Sequence, residues 1–136
     1  VIIPFIAADL REVNPSVLAY IGDSVYELYA RCHVSEKTAS NSGKMHKLNV
    51  HYVSAASQAK AVNAVMDELS EEEIDYFKRG RNSNSPTMSK NASPVDYMNA
   101  TGFEALLGYL FLDNKGDRLD YIIQRSFEVI DSEQGQ

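Results

Sequence analysis

The sequence holds a single cysteine, Cys32, so no disulfide can form within the chain, and a reducing cytoplasm is the expected setting. No apolar run approaches the roughly 20 residues of a membrane span, which excludes that class of architecture. The N-terminal VIIPFIAADL is too short to span a bilayer, has no basic leader and does not read as a signal peptide. No Cys/His spacing suggests zinc, and no glycine-rich loop resembles a phosphate cradle. Cys32 and His33 are adjacent, so on a helix they point about 100° apart and cannot act as a nucleophile and its base. Strand-like alternation of apolar and polar residues is also missing.

Two long stretches hold no acid. From 37 to 66 there is none, against Lys37, Lys44, His46, Lys47, His51 and Lys60. From 76 to 95 there is again none, against Lys78, Arg79, Arg81 and Lys90. The acidic block from Asp67 to Asp75 lies between them and dominates the net charge of −6. Segregated charge of this kind can give an acidic protein a basic face suited to a polyanion. The plainer alternative is a set of solvated helix faces.

What is present reads as helix almost throughout, in a chain of 136 residues with 44% hydrophobic and 24% charged residues. That length suits one domain, and no repeat or linker divides it. Asn14-Pro15 is a helix start, with Asn as cap and Pro at the first position. Val17, Ile21, Val25, Leu28 and Cys32 then form a stripe at spacings of three and four, the expected core face. A second helix is expected within Ser42 to Leu48, followed by an alanine-rich helix in VSAASQAKAVNAVMDEL. Ser70 and Glu73 form a capping box that opens SEEEIDYFKRG, and Gly80 is expected to end it. RGRNSNSPTMSKNASP is a long polar loop of the kind that is usually functional or disordered. VDYMNATGFEALLGYLFLD, apolar on every side from Phe103 to Leu112 except at Glu104, reads as the central helix of the fold. GDRLDYIIQRSFEVI is amphipathic, and DSEQGQ reads as a frayed tail. The class is all-α.

Two of these helices carry an acid beside glycine. In VLAYIGDSVYELYAR, Asp23 follows Gly22, although glycine costs a helix interior about 1 kcal/mol relative to alanine. On an ideal helix Asp23 lies nearly opposite the Val17 stripe, with Ala19 and Glu27 as same-face neighbours. Glu104 has Ala100 and Gly108 at the same offsets, and Thr101 and Leu107 three away. The small residues are expected to clear space around each carboxylate for an ion, water or a substrate group. The plainer alternative is a buried carboxylate paired with Arg31 or capping a neighbouring helix. With only oxygen ligands on offer, magnesium or manganese is the metal class to expect. His46 and His51 lie in a basic segment and fit solvent or phosphate better than metal.

AYIGDSVYELY and ATGFEALLGYLFLD together resemble the two signature segments of the ribonuclease III catalytic domain. YIGDSV is similar to the first; Ala100, Phe103, Glu104, Ala105, Leu106, Gly108 and Asp113 match the second. KMHKLNVHYVSAASQA and KRGRNSNSPTMSKN resemble the intervening segments of the short branch called mini-ribonuclease III, in the same order. The likeness runs from about Asn14 to Arg118. It departs from the wider family at Ala19 and Thr101, where additional carboxylates usually stand, and in the polar loop at Pro86 and Ser89.

The resemblance implies a helical bundle around a central buried helix, as one catalytic domain over 1–136 with no double-stranded-RNA-binding domain. It implies an endoribonuclease that hydrolyses double-stranded RNA, with Asp23 and Glu104 catalytic and holding Mg2+ or Mn2+. It further implies maturation of large-subunit ribosomal RNA precursor in a bacterial cytoplasm, a homodimer, and a ribosomal protein as a partner. Lys47, Lys78, Arg79, Arg81 and Lys90 are the candidate RNA contacts. The rival is a non-catalytic RNA-binding module that kept the fold, a reading to which Ala19 and Thr101 lend weight. The first helix carries Leu18, Tyr20, Tyr26 and Tyr29 off its expected core stripe, more apolar surface than a monomer needs to expose.

Overall fold

The structure is a computed structural model and describes residues 9–38, 41–83 and 93–134. These form six α-helices: α1 (Pro15–Lys37), α2 (Ser42–Val53), α3 (Ala55–Val65), α4 (Glu71–Arg81), α5 (Pro94–Leu112) and α6 (Gly116–Gln134). Two 3-10 turns lie at Leu10–Glu12 and Met66–Glu68, and there is no strand among the described residues. The all-α class read from the sequence holds.

Local chemistry sets most boundaries. Asn14 accepts from Ser16 N and Pro15 opens α1. Ser70 and Glu73 close a reciprocal capping box on α4, satisfying two backbone donors that would otherwise be unpaired. Ser93 accepts from Asp96 N ahead of Pro94 at the start of α5. The alanine-rich segment is shorter than its composition suggests. Ser54 sits in an extended conformation, ends α2 and caps α3 through Ser57 N. α6 continues to Gln134, through residues that read as a tail, and Asp131 explains the continuation. Its carboxylate accepts from Tyr52 Oη at 2.5 Å, pairs with Lys37 Nζ at 3.1 Å and lies 3.0 Å from His33 Nε2. One acid thereby ties α6 to α1 and α2.

The core face of α1 is not the expected stripe. Leu18, Ala19, Gly22, Tyr26, Ala30 and Val34 are buried, whereas Val17 and Leu28 are exposed and Ile21 and Val25 are only partly covered. Leu18 and Tyr26, expected on the surface, lie at 0% exposure inside the core. Both faces of α1 are apolar, and the face that packs is the one with small residues.

α5 is the centre of the bundle, touching α1, α3, α4 and α6. From Ala100 to Leu110 every residue is buried except Glu104. Glycines explain how α1 and α4 fit closely against it. A Cβ placed on Gly22 would lie 1.8 Å from Glu104 O and 2.8 Å from Gly108 N; one on Gly108 would lie 2.0 Å from Leu18 O. The backbones of α1 and α5 thus meet in direct contact across a glycine from each. The expected role of these glycines, clearing space around a carboxylate, is corrected: they clear space for the opposing backbone. Gly80 behaves likewise. It does not end α4, which runs to Arg81; a Cβ there would meet Ala105 Cβ at 2.4 Å and Gly102 Cα at 3.1 Å.

Candidate active site

The α1–α5 crossing places the two acids together. Gly22 packs on the backbone of Glu104, so the next residue, Asp23, emerges beside the Glu104 side chain, near enough for its carboxyl to act on that of Glu104. Asp23 is exposed and Glu104 is partly buried, so the pair has an open side and a closed side. The alternative pairing with Arg31 does not occur, because Arg31 Nε donates to Glu27 Oε2 at 3.0 Å.

Two carboxyl groups in contact cannot both ionise without a compensating cation. Burial first, then the hydrogen bond and charge of Asp23, push Glu104 up to about 9, against an opposing hydrogen bond from Gln58. Glu104 is thereby biased toward its protonated form, and a metal ion held by the two acids would displace that proton.

Gln58 was not singled out in the sequence. It lies at 2% exposure on α3, donates from Nε2 to Glu104 Oε2 at 3.3 Å and to Val53 O at 2.9 Å, and leaves Oε1 buried without a partner. A glutamine among alanines reads as solvent-facing, and only α3 packing on α5 reveals it. Asn49 on α2 is also buried. Its Nδ2 donates to Glu27 Oε2 at 2.5 Å, one turn from Asp23 on α1.

The positions from which further carboxylates would reach the pair are occupied differently. Ala19 is buried with no polar side-chain atom, and Thr101 donates its hydroxyl to Tyr97 O at 3.0 Å. Among the described residues no group of three or more His, Cys, Asp and Glu is placed to hold a metal. The available donors are the two carboxylates and the unpartnered Gln58 oxygen, all hard oxygens of the kind that suits Mg2+ or Mn2+. The residues fit such an ion.

The candidate RNA contacts differ in their surroundings. Lys47 and Lys78 are exposed. Arg81 is partly buried beside Asn82 Oδ1, with its guanidinium 5.7 Å from the Phe77 ring centroid. Arg79 turns inward: Nη2 donates to Arg11 O at 2.7 Å, and its guanidinium lies over Tyr76 at 5.1 Å. It ties α4 to the N-terminal 3-10 turn. Lys90, Pro86 and Ser89 lie outside the described residues. Gly80 packs against Thr101, Gly102 and Ala105, which brings the Lys78 and Arg81 end of α4 to the stretch of α5 that bears Glu104.

The Ribonuclease III domain model matches residues 16–115 of the chain. The chain is 46% identical over 121 residues to the Mini-ribonuclease 3 of Clostridium tetani, covering 88% of this chain and 80% of that one. It is 42% identical to the Mini-ribonuclease 3 of Brevibacillus brevis, covering 92% and 93% of the two chains. A crystal structure of a Fusobacterium nucleatum protein superimposes with a TM-score of 0.80 at 25% identity, over 90% of this chain and 98% of that one. The ribonuclease III family consists of endoribonucleases that act on double-stranded RNA, generally with a divalent metal, and its members typically dimerise. On its matched domain and its relatives, the chain belongs to the ribonuclease III family, in the mini-ribonuclease III branch.

Proposed function

We propose that this endoribonuclease cuts double-stranded RNA at the Asp23–Glu104 pair with Mg2+ or Mn2+, and that its substrate is large-subunit ribosomal RNA precursor. The observation that carries the reading is the α1–α5 crossing, which packs Gly22 on the Glu104 backbone and so sets Asp23 beside Glu104, whose carboxyl is pushed up to about 9 by burial and by its neighbour. A helix pair that brings two acids together at the edge of its core accepts an electrostatic cost that a cation removes.

Asp23 and Glu104 would hold the cation. When bound there, a divalent ion supplies a lowered water pKa and offsets the charge that develops on the phosphate. The residues of the chain do the rest. Asp23 holds the ion from the exposed side, where the scissile phosphate would approach; Glu104, on the closed side, is oriented by Gln58 Nε2. The Gly22–Gly108 contact fixes the two backbones, and hence the two carboxyls, with little freedom to drift.

A-form RNA presents backbone and 2′-hydroxyls across a wide minor groove, so recognition rests on shape and phosphate contacts. Lys47, Lys78, Arg81 and Lys90 serve as phosphate contacts in this reading. Arg79 contributes from a guanidinium partly committed to Arg11 O. A homodimer supplies the second site. Val17 at 41%, Tyr20 at 80% and Leu28 at 63% exposure give α1 an apolar outer face suited to pairing two copies. Two sites related by a two-fold axis then cut one strand each. The whole chain acts as one catalytic domain, in a bacterial cytoplasm, with a ribosomal protein among its partners.

The test is a gel of duplex RNA incubated with the protein in Mg2+ and in EDTA. Cleavage of both strands in Mg2+ alone supports the reading. Cleavage that persists in EDTA would overturn the metal, and duplex that is bound but left intact would favour a non-catalytic module.

A further inference from the structure

Among the described residues, two buried side-chain oxygen or nitrogen atoms have no hydrogen-bond partner, and both are carboxamide oxygens: Asn49 Oδ1 and Gln58 Oε1. A buried acceptor left unpaired is costly, and a native fold seldom retains one without a reason. Gln58 has the clearer case, because its other end reaches the active-site pair. Its Nε2 spends both hydrogens, on Val53 O at 2.9 Å and on Glu104 Oε2 at 3.3 Å. The Val53 bond also fixes which way the amide faces. Turned over, Oε1 would meet the Val53 carbonyl, acceptor against acceptor.

In a planar amide the oxygen lies roughly 2.3 Å from the nitrogen, which puts Oε1 within about 6 Å of Glu104 Oε2. That is within the span of one hydrated divalent ion, whose oxygens sit about 2.1 Å from the metal and which retains several waters as donors. The surrounding side chains offer no substitute. Ala19 ends in a methyl group, and the Thr101 hydroxyl is donated to Tyr97 O. The pair would otherwise hold a cation with two protein side chains alone.

We propose that Gln58 is a positioning residue for the cation site: Oε1 accepts from the water shell of the ion held by Asp23 and Glu104, while Nε2 holds Glu104 in place. The inference rests on the reading of those two acids as the metal-holding pair. It makes Gln58 the third oxygen of the site, supplied from α3 and not from either of the helices that carry the acids.

The experiment is Mn2+ binding followed by electron paramagnetic resonance on the full-length protein without RNA, with melting temperature in EDTA as the control for folding. Wild type, Asp23→Asn, Gln58→Leu and Gln58→Glu are compared. Asp23→Asn should abolish specific binding. Gln58→Leu should weaken Mn2+ affinity by about ten-fold or more, the usual scale for losing a residue that orients a metal ligand. Gln58→Glu keeps an oxygen at the same reach but loses both Nε2 bonds, so it should bind Mn2+ more tightly than Gln58→Leu. A purely structural role would lower the melting temperature of Gln58→Leu and leave its Mn2+ affinity unchanged, and that result overturns the proposal while the acid pair stands. Should Gln58→Leu fail to fold, Gln58→Met, an apolar side chain of similar length, takes its place, and wild-type Mn2+ affinity in it overturns the proposal equally. Equal binding by wild type and Asp23→Asn overturns the acid pair and the proposal together.

Discussion

Gly22→Ala separates two physical effects of opposite sign. Helix propensity alone favours alanine by about 1 kcal/mol, so a glycine tolerated for no packing reason would be improved by the change. The structure argues the reverse. The new Cβ would fall 1.8 Å from Glu104 O, and an ordinary contact needs about 3.4 Å, so α1 and α5 must part by roughly 1.6 Å. A gap of 0.5–1 Å already forfeits about a quarter to a half of each dispersion contact, and this crossing seats Leu18, Phe103 and Leu107 at 0% exposure. Overpacking of this kind costs about 3 kcal/mol, at the upper end of its usual range, because both colliding groups are helix backbone. The net effect is destabilisation by about 2 kcal/mol, or a melting temperature lower by roughly 6–8 °C for a chain of this size. Cleavage should fall further than stability accounts for, since Asp23 moves away from Glu104. Calorimetry with single-turnover cleavage below the melting range measures both. A variant that melts at or above wild type, with unchanged cleavage, would refute the backbone-contact reasoning.

The basic end of α4 should behave as a phosphate grip: Lys78→Ala and Arg81→Ala should weaken duplex binding equally across sequences and each lower the slope of log K against log salt by about 0.7–0.9. Unchanged slopes would make that surface incidental. Tyr20→Glu places a charge on the most exposed aromatic of α1 and should yield monomers by light scattering with little double-strand cleavage; a wild-type monomer that cuts both strands would refute the dimer. Arg118→Ala tests the other side of the bundle. Glu73 is raised by burial but lowered further by hydrogen bonds from Arg118 and from Ser70 N, leaving it below the usual carboxylate value of 4.5. A depressed folded-state value contributes stability above about pH 4.5 that is lost as pH falls through it. Arg118→Ala should therefore lower stability in urea melts at pH 7, and by less once the pH has fallen through the folded-state value of Glu73. Equal costs at both would contradict the ion pair.

The Asp23–Glu104 pair was legible because two helices each carry an acid within a turn of a glycine, Gly22 beside Asp23 and Gly108 four residues after Glu104, a combination that neither propensity nor core packing favours alone. The reason assigned to the glycines was not legible. From the sequence a missing Cβ beside a carboxylate looks like space for a ligand, and only the opposing backbone, at 1.8 Å from that Cβ, shows what fills it. The core face of α1 was misread for a related reason. Val17, Ile21, Val25 and Leu28 make a cleaner apolar stripe than Leu18, Ala19, Gly22 and Tyr26, yet close helix contact selects the stripe with small residues. Charge counting placed Arg79 among the basic contacts but could not register that the carbonyls of Arg11 and Val13 accept from it. Gln58 gave no signal, since one glutamine in an alanine-rich helix is compatible with either face. The capping box at Ser70 and Glu73 and the Asn14-Pro15 start, which depend only on near neighbours, were read correctly.

The central claim is that Asp23 and Glu104 act as one unit. Single-turnover cleavage of duplex RNA in Mg2+, for wild type, Asp23→Asn, Glu104→Gln and the double variant, tests it most directly. Each single change should slow cleavage on the order of 10³-fold or more, and the double variant should be no more than about ten-fold slower than either, because groups acting together are lost together. Duplex binding should survive in all four. Near-wild-type turnover in either single variant, or two losses that multiply in full, would contradict a shared site.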